Sequence, residues 1–185
     1  KFGLGASLDF RSLPEFLLDR GYTREECLES GACSEANGRI YDSLAGRLIV
    51  PIIDQMDEVI AFGGRLLEKS DRAKYKNTRE TVLFNKSRTL FNLNQVKKLR
   101  RAGGLNSLIM VEGYMDAISL AQAGFPNVVA SMGTALTKDQ ARLCKRYADD
   151  VFISYDGDFA GQKANLRGLD IMKQEGLKVR VVPLP

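Results

Sequence analysis

The sequence predicts an α/β protein whose second half forms an open parallel sheet, preceded by a mixed α+β segment that carries most of the positive charge. From residue 107 onward, short apolar runs alternate with helical patterns, and the connecting loops are short. Before residue 104 the predicted elements are short and of both kinds. Residues 61–105 contain 12 Lys and Arg but only 3 Asp and Glu, although the whole chain carries only +4.

Composition limits what this chain can be. Its 185 residues are 44% hydrophobic, enough for one large core or two small ones. No apolar run approaches 18 residues and no signal peptide is recognisable, so no membrane segment is expected. The chain contains no histidine and three scattered cysteines, which argues against zinc sites and Ser-His or Cys-His nucleophiles. Lys1 and the end at Pro185 both look cut, so we expect a fragment of a longer protein.

In the first half, each predicted element depends on a local signal. Apolar spacing predicts a helix from Leu13 to Arg20, and Thr23 with Glu26 fits a capping box that begins a second helix. Asn37-Gly38 indicates a turn. Two β-rich runs predict a hairpin, namely Leu48–Ile53 and Val59–Phe62.

The basic segment predicts a loop and a helix. Residues 68–81 are polar and lack periodicity, which is typical of a loop, and Leu90 to Arg101 forms a helical pattern that ends at Gly103-Gly104. Arg65 and Lys74 suit phosphate contacts and Tyr75 suits stacking on a base, although a solvated basic face is the alternative.

The helix before Gly103 ends in four cations: Lys97, Lys98, Arg100 and Arg101. Cations at this end stabilise the helix dipole, and the sequence favours that interpretation over contact with a nucleic-acid backbone.

The second half predicts four strands alternating with three helices, in the order strand 107–111, helix 114–123, strand 128–130, helix 137–147, strand 151–155, helix 160–175 and strand 178–182. This alternation is typical of a Rossmann-like parallel sheet. We place the boundary between the two domains near Gly104, giving domains 1–104 and 105–185.

Acidic residues follow two of these predicted strands. Glu112 comes directly after Val111, and Asp156 and Asp158 come directly after Tyr155. Ligands of open α/β sheets gather at the carboxyl ends of strands, so the three carboxylates converge on one rim if these strands are neighbours. Such carboxylates bind Mg²⁺, which neutralises the charge that develops during phosphoryl transfer. The alternative is structural, since Asp158 could simply cap the following helix.

These residues lie in motifs that resemble the Toprim domain of bacterial DnaG-type DNA primases. The motifs are Val111-Glu-Gly-Tyr-Met-Asp-Ala-Ile118, Ala130-Ser-Met-Gly-Thr134 and Tyr155-Asp-Gly-Asp-Phe-Ala-Gly161. The upstream chain is similar to the amino-terminal subdomain of the same catalytic core, at Phe2-Gly-Leu-Gly5, Gly38-Arg-Ile-Tyr-Asp42, Arg47-Leu-Ile-Val-Pro-Ile52, Ile60-Ala-Phe-Gly-Gly-Arg65, Lys74-Tyr-Lys-Asn77 and Leu83-Phe-Asn-Lys86. The chain therefore resembles a Rossmann-like Toprim domain preceded by a mixed α+β basic subdomain.

The resemblance implies a DNA-directed RNA polymerase that makes short RNA primers on single-stranded DNA from NTPs, using Mg²⁺ or Mn²⁺. It implies catalytic and metal-binding roles for Glu112, Asp156 and Asp158. The implied supporting residues are Gly113, Asp116, Gly157 and Lys163. The implied nucleotide and DNA contacts are Arg47, Arg65, Lys74, Tyr75, Asn77 and Lys86.

The resemblance also implies a cytoplasmic replication protein that contacts the replicative helicase through a domain absent from this chain, with no membrane partner. Ser43 and Ala45 stand where the family often carries basic residues, which leaves Arg47 as the candidate contact there. The family has a further acidic motif after the last strand, beyond Pro185. A Toprim nuclease, a topoisomerase relative or a nucleotide- or DNA-binding fragment without activity of its own stays open as an alternative.

Overall fold

The computed structural model describes residues 2–133, 135–155 and 159–182, and it describes residues 159–165 by their backbone alone. The chain divides into two compact units. The first comprises Lys1–Ile52 and Val59–Asn85, and the second comprises Ile53–Glu58 and Lys86–Pro185. Among the described residues, no helix is long and apolar enough to cross a bilayer.

The helices and strands of the first unit are short and mixed. They are β1 (Gly5–Ser7), α1 (Ser12–Asp19), α2 (Arg24–Glu29), β2 (Cys33–Ala36), β3 (Arg39–Asp42), β4 (Arg47–Ile53), β5 (Val59–Leu66) and β6 (Tyr75–Asn77). Four of the strands form a sheet in the order β1-β4-β5-β6, and β2 and β3 form a separate antiparallel pair.

Local signals in the sequence explain several of these elements. The capping box predicted at Thr23 is present: its side chain accepts from the Glu26 amide, and the Glu26 carboxylate accepts from the Thr23 amide. The predicted turn at Asn37-Gly38 joins β2 to β3, and both residues have positive φ, at 50° and 73°. Such φ values suit Asn and Gly in a tight hairpin turn.

The predicted loop at residues 68–81 is wrong in one place, because Tyr75–Asn77 forms β6. This strand pairs antiparallel with β5, with Arg65 opposite Tyr75 and Gly63 opposite Asn77. Three residues are too few to show an alternating pattern. The strand exists because β5 supplies its backbone partner, which residues 68–81 cannot reveal by themselves.

The second unit is built on a parallel sheet. Its elements are a short 3₁₀ helix (Lys86–Arg88), α3 (Leu93–Arg101), β7 (Leu108–Val111), α4 (Tyr114–Gln122), β8 (Val128–Ala130), α5 (Lys138–Lys145), β9 (Asp150–Ile153), α6 (Phe159–Gln174) and β10 (Lys178–Val181). The strand order is β10-β9-β7-β8, and all three pairings are parallel. The α/β class with a parallel sheet is therefore confirmed.

The core of the second unit reaches further back along the chain than the predicted boundary at residue 104. Leu93 and Val96 of α3 are almost fully buried in the cluster that contains Met110 of β7 and Ile153 of β9. By packing, α3 therefore belongs with the parallel sheet, in the compact unit that comprises Ile53–Glu58 and Lys86–Pro185. The domain boundary near Gly104 stays a prediction.

The helix predicted from Leu90 begins three residues later. Phe91 instead pairs with Ala130: its amide donates to the Ala130 carbonyl over 2.9 Å, and its own carbonyl accepts from the Ala130 amide over 3.3 Å. Asn92 then turns the chain at φ 67° before α3 begins. The spacing of apolar residues from Leu90 onward fits a helix, but the backbone at Phe91 pairs instead with β8 at the edge of the sheet.

The amino end of α5 gives a first stability prediction. The Thr137 hydroxyl accepts from the Gln140 amide over 3.1 Å and donates to the Ser87 carbonyl over 2.6 Å. Replacing Thr137 with Ala removes both bonds, so we expect a loss of about 1–2 kcal/mol in the free energy of unfolding. Denaturant unfolding measures it. Thr137→Ser should retain most of the stability, and Thr23→Ala, which removes only a cap, should cost less. An unchanged midpoint for Thr137→Ala would contradict this account.

Candidate active site

In the sheet of the second unit, the two strands that precede the predicted acidic positions are neighbours. β7 lies beside β9 in parallel, so residues that follow these strands emerge at the same carboxyl edge. Glu112 directly follows β7. Asp156 and Asp158, with Gly157 between them, lie outside the described residues, and Tyr155 is the last described residue before them.

The register of the two strands puts Tyr155 level with Glu112. Met110 is opposite Ile153, and the Ser154 amide donates to the Met110 carbonyl over 2.9 Å. Two residues further on, these strands reach Glu112 and Tyr155. Burial raises the pKa of the Tyr155 hydroxyl, and the nearby Glu112 carboxylate raises it further. Tyr155, the last described residue before the predicted acids, therefore lies beside Glu112.

The loop after β8 holds the backbone at Glu112. Amides of Met132 and Gly133 both donate to the Glu112 carbonyl, over 2.9 and 3.4 Å. Both residues have positive φ, at 61° and 78°. A methionine rarely adopts this conformation, so the hydrogen bonds to the Glu112 carbonyl are needed to maintain the tight turn. The result is a fixed carbonyl at Glu112 while its side chain stays half-buried.

Gly113 and Asp116 form the turn between Glu112 and α4. The Gly113 amide donates to Oδ2 of Asp116 over 3.1 Å, so Asp116 caps the first turn of the helix. A Cβ on residue 113 would lie only 2.9 Å from that same oxygen. Glycine therefore allows the cap to approach the backbone closely, and Asp116 orients the turn that follows Glu112.

The donors predicted at this rim are all oxygens. Among the described residues, no group of three His, Cys, Asp or Glu side chains could hold a metal ion. Two of the three predicted ligands, Asp156 and Asp158, fall in the part of the chain that the structure does not describe. Glu112 supplies a carboxylate at the carboxyl edge of the sheet, and the chain contains no histidine. A donor set of this kind fits a hard divalent cation such as Mg²⁺ or Mn²⁺.

Three of the predicted nucleic-acid contacts meet on the β5-β6 hairpin of the first unit. The Arg65 guanidinium carbon lies 5.8 Å from the centre of the Tyr75 ring, and Lys74 Nζ lies 5.6 Å from it. Tyr75 is 45% exposed. Asn77 is the last residue of β6 and is half-buried opposite Gly63. The hairpin thus presents two cations around one accessible aromatic ring.

Arg47 differs from these residues because its side chain is only 2% exposed. Its guanidinium donates to the carbonyls of Gly64, Ala73 and Lys74, over 3.3, 2.8 and 3.2 Å. A Cβ on Gly64 would lie 2.7 Å from Arg47 Cδ, so the glycine makes room for this arginine. Arg47 therefore fixes the segment that enters β6.

The remaining predicted residues lie in the second unit. Lys86 begins the 3₁₀ helix, where its carbonyl accepts from Nε2 of the fully buried Gln140 over 2.9 Å. Lys163 lies on α6, and its side chain is outside the described residues.

Sequence reasoning missed two residues of this arrangement, Tyr155 and Gly64. Tyr155 directly precedes the predicted acids, and that position could have identified it. Gly64 lies within β5, and a glycine inside a strand often indicates a close approach by another group.

Residues 1–97 match the family described as the DNA primase catalytic core, N-terminal domain, and residues 109–185 match the family described as Toprim-like. The chain is 48% identical over its whole length to the DNA primase of Clostridium acetobutylicum, of which it covers 30%. It is 40% identical over its whole length to the DNA primase of Deinococcus radiodurans, of which it covers 32%. The chain thus spans about a third of these curated relatives.

Solved structures give the same picture. The zinc-binding and RNA polymerase domains of Aquifex aeolicus primase match the whole chain with a TM-score of 0.89 at 35% identity, over 45% of that structure. The E. coli primase catalytic core matches the whole chain with a TM-score of 0.87 at 35% identity, over 59% of that structure. A DnaG primase catalytic domain bound to single-stranded DNA matches it with a TM-score of 0.86 at 34% identity, over 58% of that structure.

Proposed function

Because this chain belongs to the family of DnaG-type DNA primase catalytic cores, we propose that it forms part of an enzyme that synthesises short RNA primers on single-stranded DNA. The observation that carries the proposal is the position of Glu112. It follows β7 at the carboxyl edge of a parallel sheet, next to the strand that leads to Asp156 and Asp158. Ligands of open α/β sheets bind at that edge.

We propose that Glu112, Asp156 and Asp158 hold a divalent cation, Mg²⁺ or Mn²⁺. When bound, such an ion neutralises charge on the phosphates during nucleotidyl transfer. The contribution of the chain is to place the acids. Glu112 is held at its carbonyl by the amides of Met132 and Gly133, and Asp116 caps the helix that follows. The amino end of α4 also faces this edge, where its dipole favours phosphate. Gly157 and Lys163 keep the supporting role that the family implies.

The proposed partners are a single-stranded DNA template and NTPs. A related DnaG catalytic domain has been solved bound to single-stranded DNA. In this chain we assign nucleotide and DNA contacts to Arg65, Lys74, Tyr75 and Asn77 of the first unit and to Lys86 of the second. For Arg47 we propose a positioning role, because its guanidinium is occupied by carbonyls. Contact with the replicative helicase would involve a domain outside this chain.

Tyr75 gives a test of the proposed template surface. Its ring is accessible between two cations, so it can stack on a base while they contact phosphates. We expect Tyr75→Ala to weaken binding of single-stranded DNA by about tenfold, as measured by fluorescence anisotropy. Tyr22→Ala is the matched control, because Tyr22 is also exposed in the first unit, at 53%. Equal affinities for the two variants would remove Tyr75 from the surface.

The experiment for the function is template-directed synthesis by the full-length protein. We expect short RNA products that require single-stranded DNA, NTPs and a divalent cation together. A Toprim nuclease would instead degrade the DNA with metal alone. A binding platform would retain DNA and nucleotides without making any product, and either result would reject the proposal.

A further inference from the structure

A cluster of arginines lies where α3 and α5 of the second unit end. The guanidinium cluster consists of Arg100 and Arg101 at the end of α3, and Arg146 at the end of α5. Arg101 is next to Arg100 in sequence, and Arg146 is next to Tyr147. The Arg100 guanidinium carbon lies 5.7 Å from the centre of its ring. Burial raises the pKa of the Tyr147 hydroxyl, and the charges of Arg100, Arg146 and Arg101 oppose that rise, which agrees with the contact between the ends of α3 and α5.

The cations that neighbour the guanidinium cluster have partners within the fold. Lys98 bonds Asp57 over 2.7 Å and Lys145 bonds Asp149 over 2.5 Å. Lys97 donates to the Gln55 carbonyl over 2.6 Å. Within the described parts of the chain, no member of the guanidinium cluster has an ion-pair partner, and all three are exposed.

The helix dipole does not account for this arrangement. It favours each cation at the end of its own helix, but it does not bring cations from two helices to one ring. Like charges that converge repel one another, and a bound anion relieves that repulsion. The guanidinium groups also present forked donors that match phosphate oxygens. Of the four cations at the end of α3, Lys97 and Lys98 therefore have structural partners, whereas Arg100 and Arg101 belong to the guanidinium cluster.

The guanidinium cluster is separate from the edge of the sheet that carries Glu112. α3 leads into β7 and α5 leads into β9, so their last residues lie where these strands begin. The start of β10 is there too, since the Lys178 amide donates to the Asp149 carbonyl over 2.8 Å. β7 has four residues, so the two edges are separated by roughly 13 Å along the strand.

We propose that the guanidinium cluster binds the phosphate backbone of single-stranded nucleic acid, as a second contact apart from the carboxyl edge. The proposal rests on the template function proposed above. Three exposed guanidinium groups at one place complement a polyanion, whose charges repeat along its length. Arg100 and Arg101 also belong to the basic segment, in which positive charge exceeds negative charge fourfold, 12 to 3. These contacts would hold nucleic acid without reading its sequence.

The test is the salt dependence of DNA binding by the full-length protein. The triple variant replaces Arg100, Arg101 and Arg146 with Gln, and its control removes the same charge from Arg20, Arg39 and Lys173, which are exposed elsewhere. We expect the triple variant to bind a long single-stranded oligonucleotide roughly tenfold more weakly. Its slope of log affinity against log salt should fall by about 2, because each neutralised phosphate of a single strand contributes about 0.7 to that slope. The control should keep the wild-type slope.

A further variant tests whether charge alone accounts for the change in slope. Arg→Lys replacements at the three positions should restore the slope, since they keep the charge. An unchanged slope in the Gln variant, or an equal fall in slope in the control, would overturn the inference while leaving primer synthesis intact. If the wild type bound no DNA, both the inference and the proposed function would fail.

Discussion

Replacing Glu112 with Gln is expected to reduce primer synthesis by at least about a hundredfold, equivalent to roughly 2.7 kcal/mol of transition-state stabilisation. The change keeps the size of the side chain but removes a negative charge at the carboxyl edge of the sheet. The carbonyl at position 112 would still accept from the amides of Met132 and Gly133, so the local backbone should be unchanged. We expect thermal stability without metal at or above the wild-type value, because the proposed cluster of carboxylates would carry one negative charge fewer.

Two measurements make this result specific. Calorimetric titration with Mn²⁺ should show weaker binding to Glu112→Gln, while affinity for single-stranded DNA stays at the wild-type value. The matched control is Asp170→Asn, which removes one negative charge from an exposed position on α6. We expect that variant to retain most activity. Wild-type synthesis by Glu112→Gln, or by Asp156→Ala, would show that the replaced residue has no part in the metal site.

Replacing Arg47 with Met is expected to be the most destabilising change considered in the first unit, with a loss of roughly 2–4 kcal/mol in the free energy of unfolding. Met fills similar space but donates no hydrogen bond. The carbonyls of Gly64, Ala73 and Lys74 would each lose a donor. Urea unfolding followed by circular dichroism measures the loss.

Further variants distinguish a positioning role from direct contact with DNA. Arg47→Lys keeps the charge, but its ammonium group lacks the forked donors of a guanidinium and cannot reach all three carbonyls. This variant should therefore also be clearly destabilised. Gly64→Ala should destabilise as well, since its Cβ would collide with Arg47 Cδ at 2.7 Å. Gly5→Ala in the same sheet meets nothing within 4 Å and is the control. If Arg47→Lys and Arg47→Met kept wild-type stability but bound DNA more weakly, Arg47 would be a direct contact.

Elements defined by near neighbours in sequence could be predicted well. The cap at Thr23 and the turn at Asn37-Gly38 depend on side chains and backbone angles within four residues. The alternation after residue 107 depends on repeated apolar runs, which indicate buried strands and helices directly. The family motifs around Glu112 likewise lie in continuous sequence, and the Toprim-like family matches that region.

Elements defined by distant partners could not be predicted from local patterns. β6 exists because β5 pairs with it. Phe91 stays outside α3 because its amide donates to the Ala130 carbonyl. The sequence suggests a surface cation at Arg47, yet the side chain is buried. Its guanidinium donates to three carbonyls that lie more than fifteen residues away along the chain. Lys97 and Arg100 are both cations of α3, yet Lys97 donates to the Gln55 carbonyl whereas Arg100 lies over the Tyr147 ring.

The sequence by itself determined the α/β class, the alternation of the second half and the acidic positions after two strands, because these features follow from local periodicity and from continuous motifs. Only the tertiary structure decided that β7 lies next to β9, that Arg47 is buried and that the ends of α3 and α5 meet at Tyr147. Strand order and side-chain burial depend on which distant segments pack together, and a polar side chain gains its role from the partner it meets there.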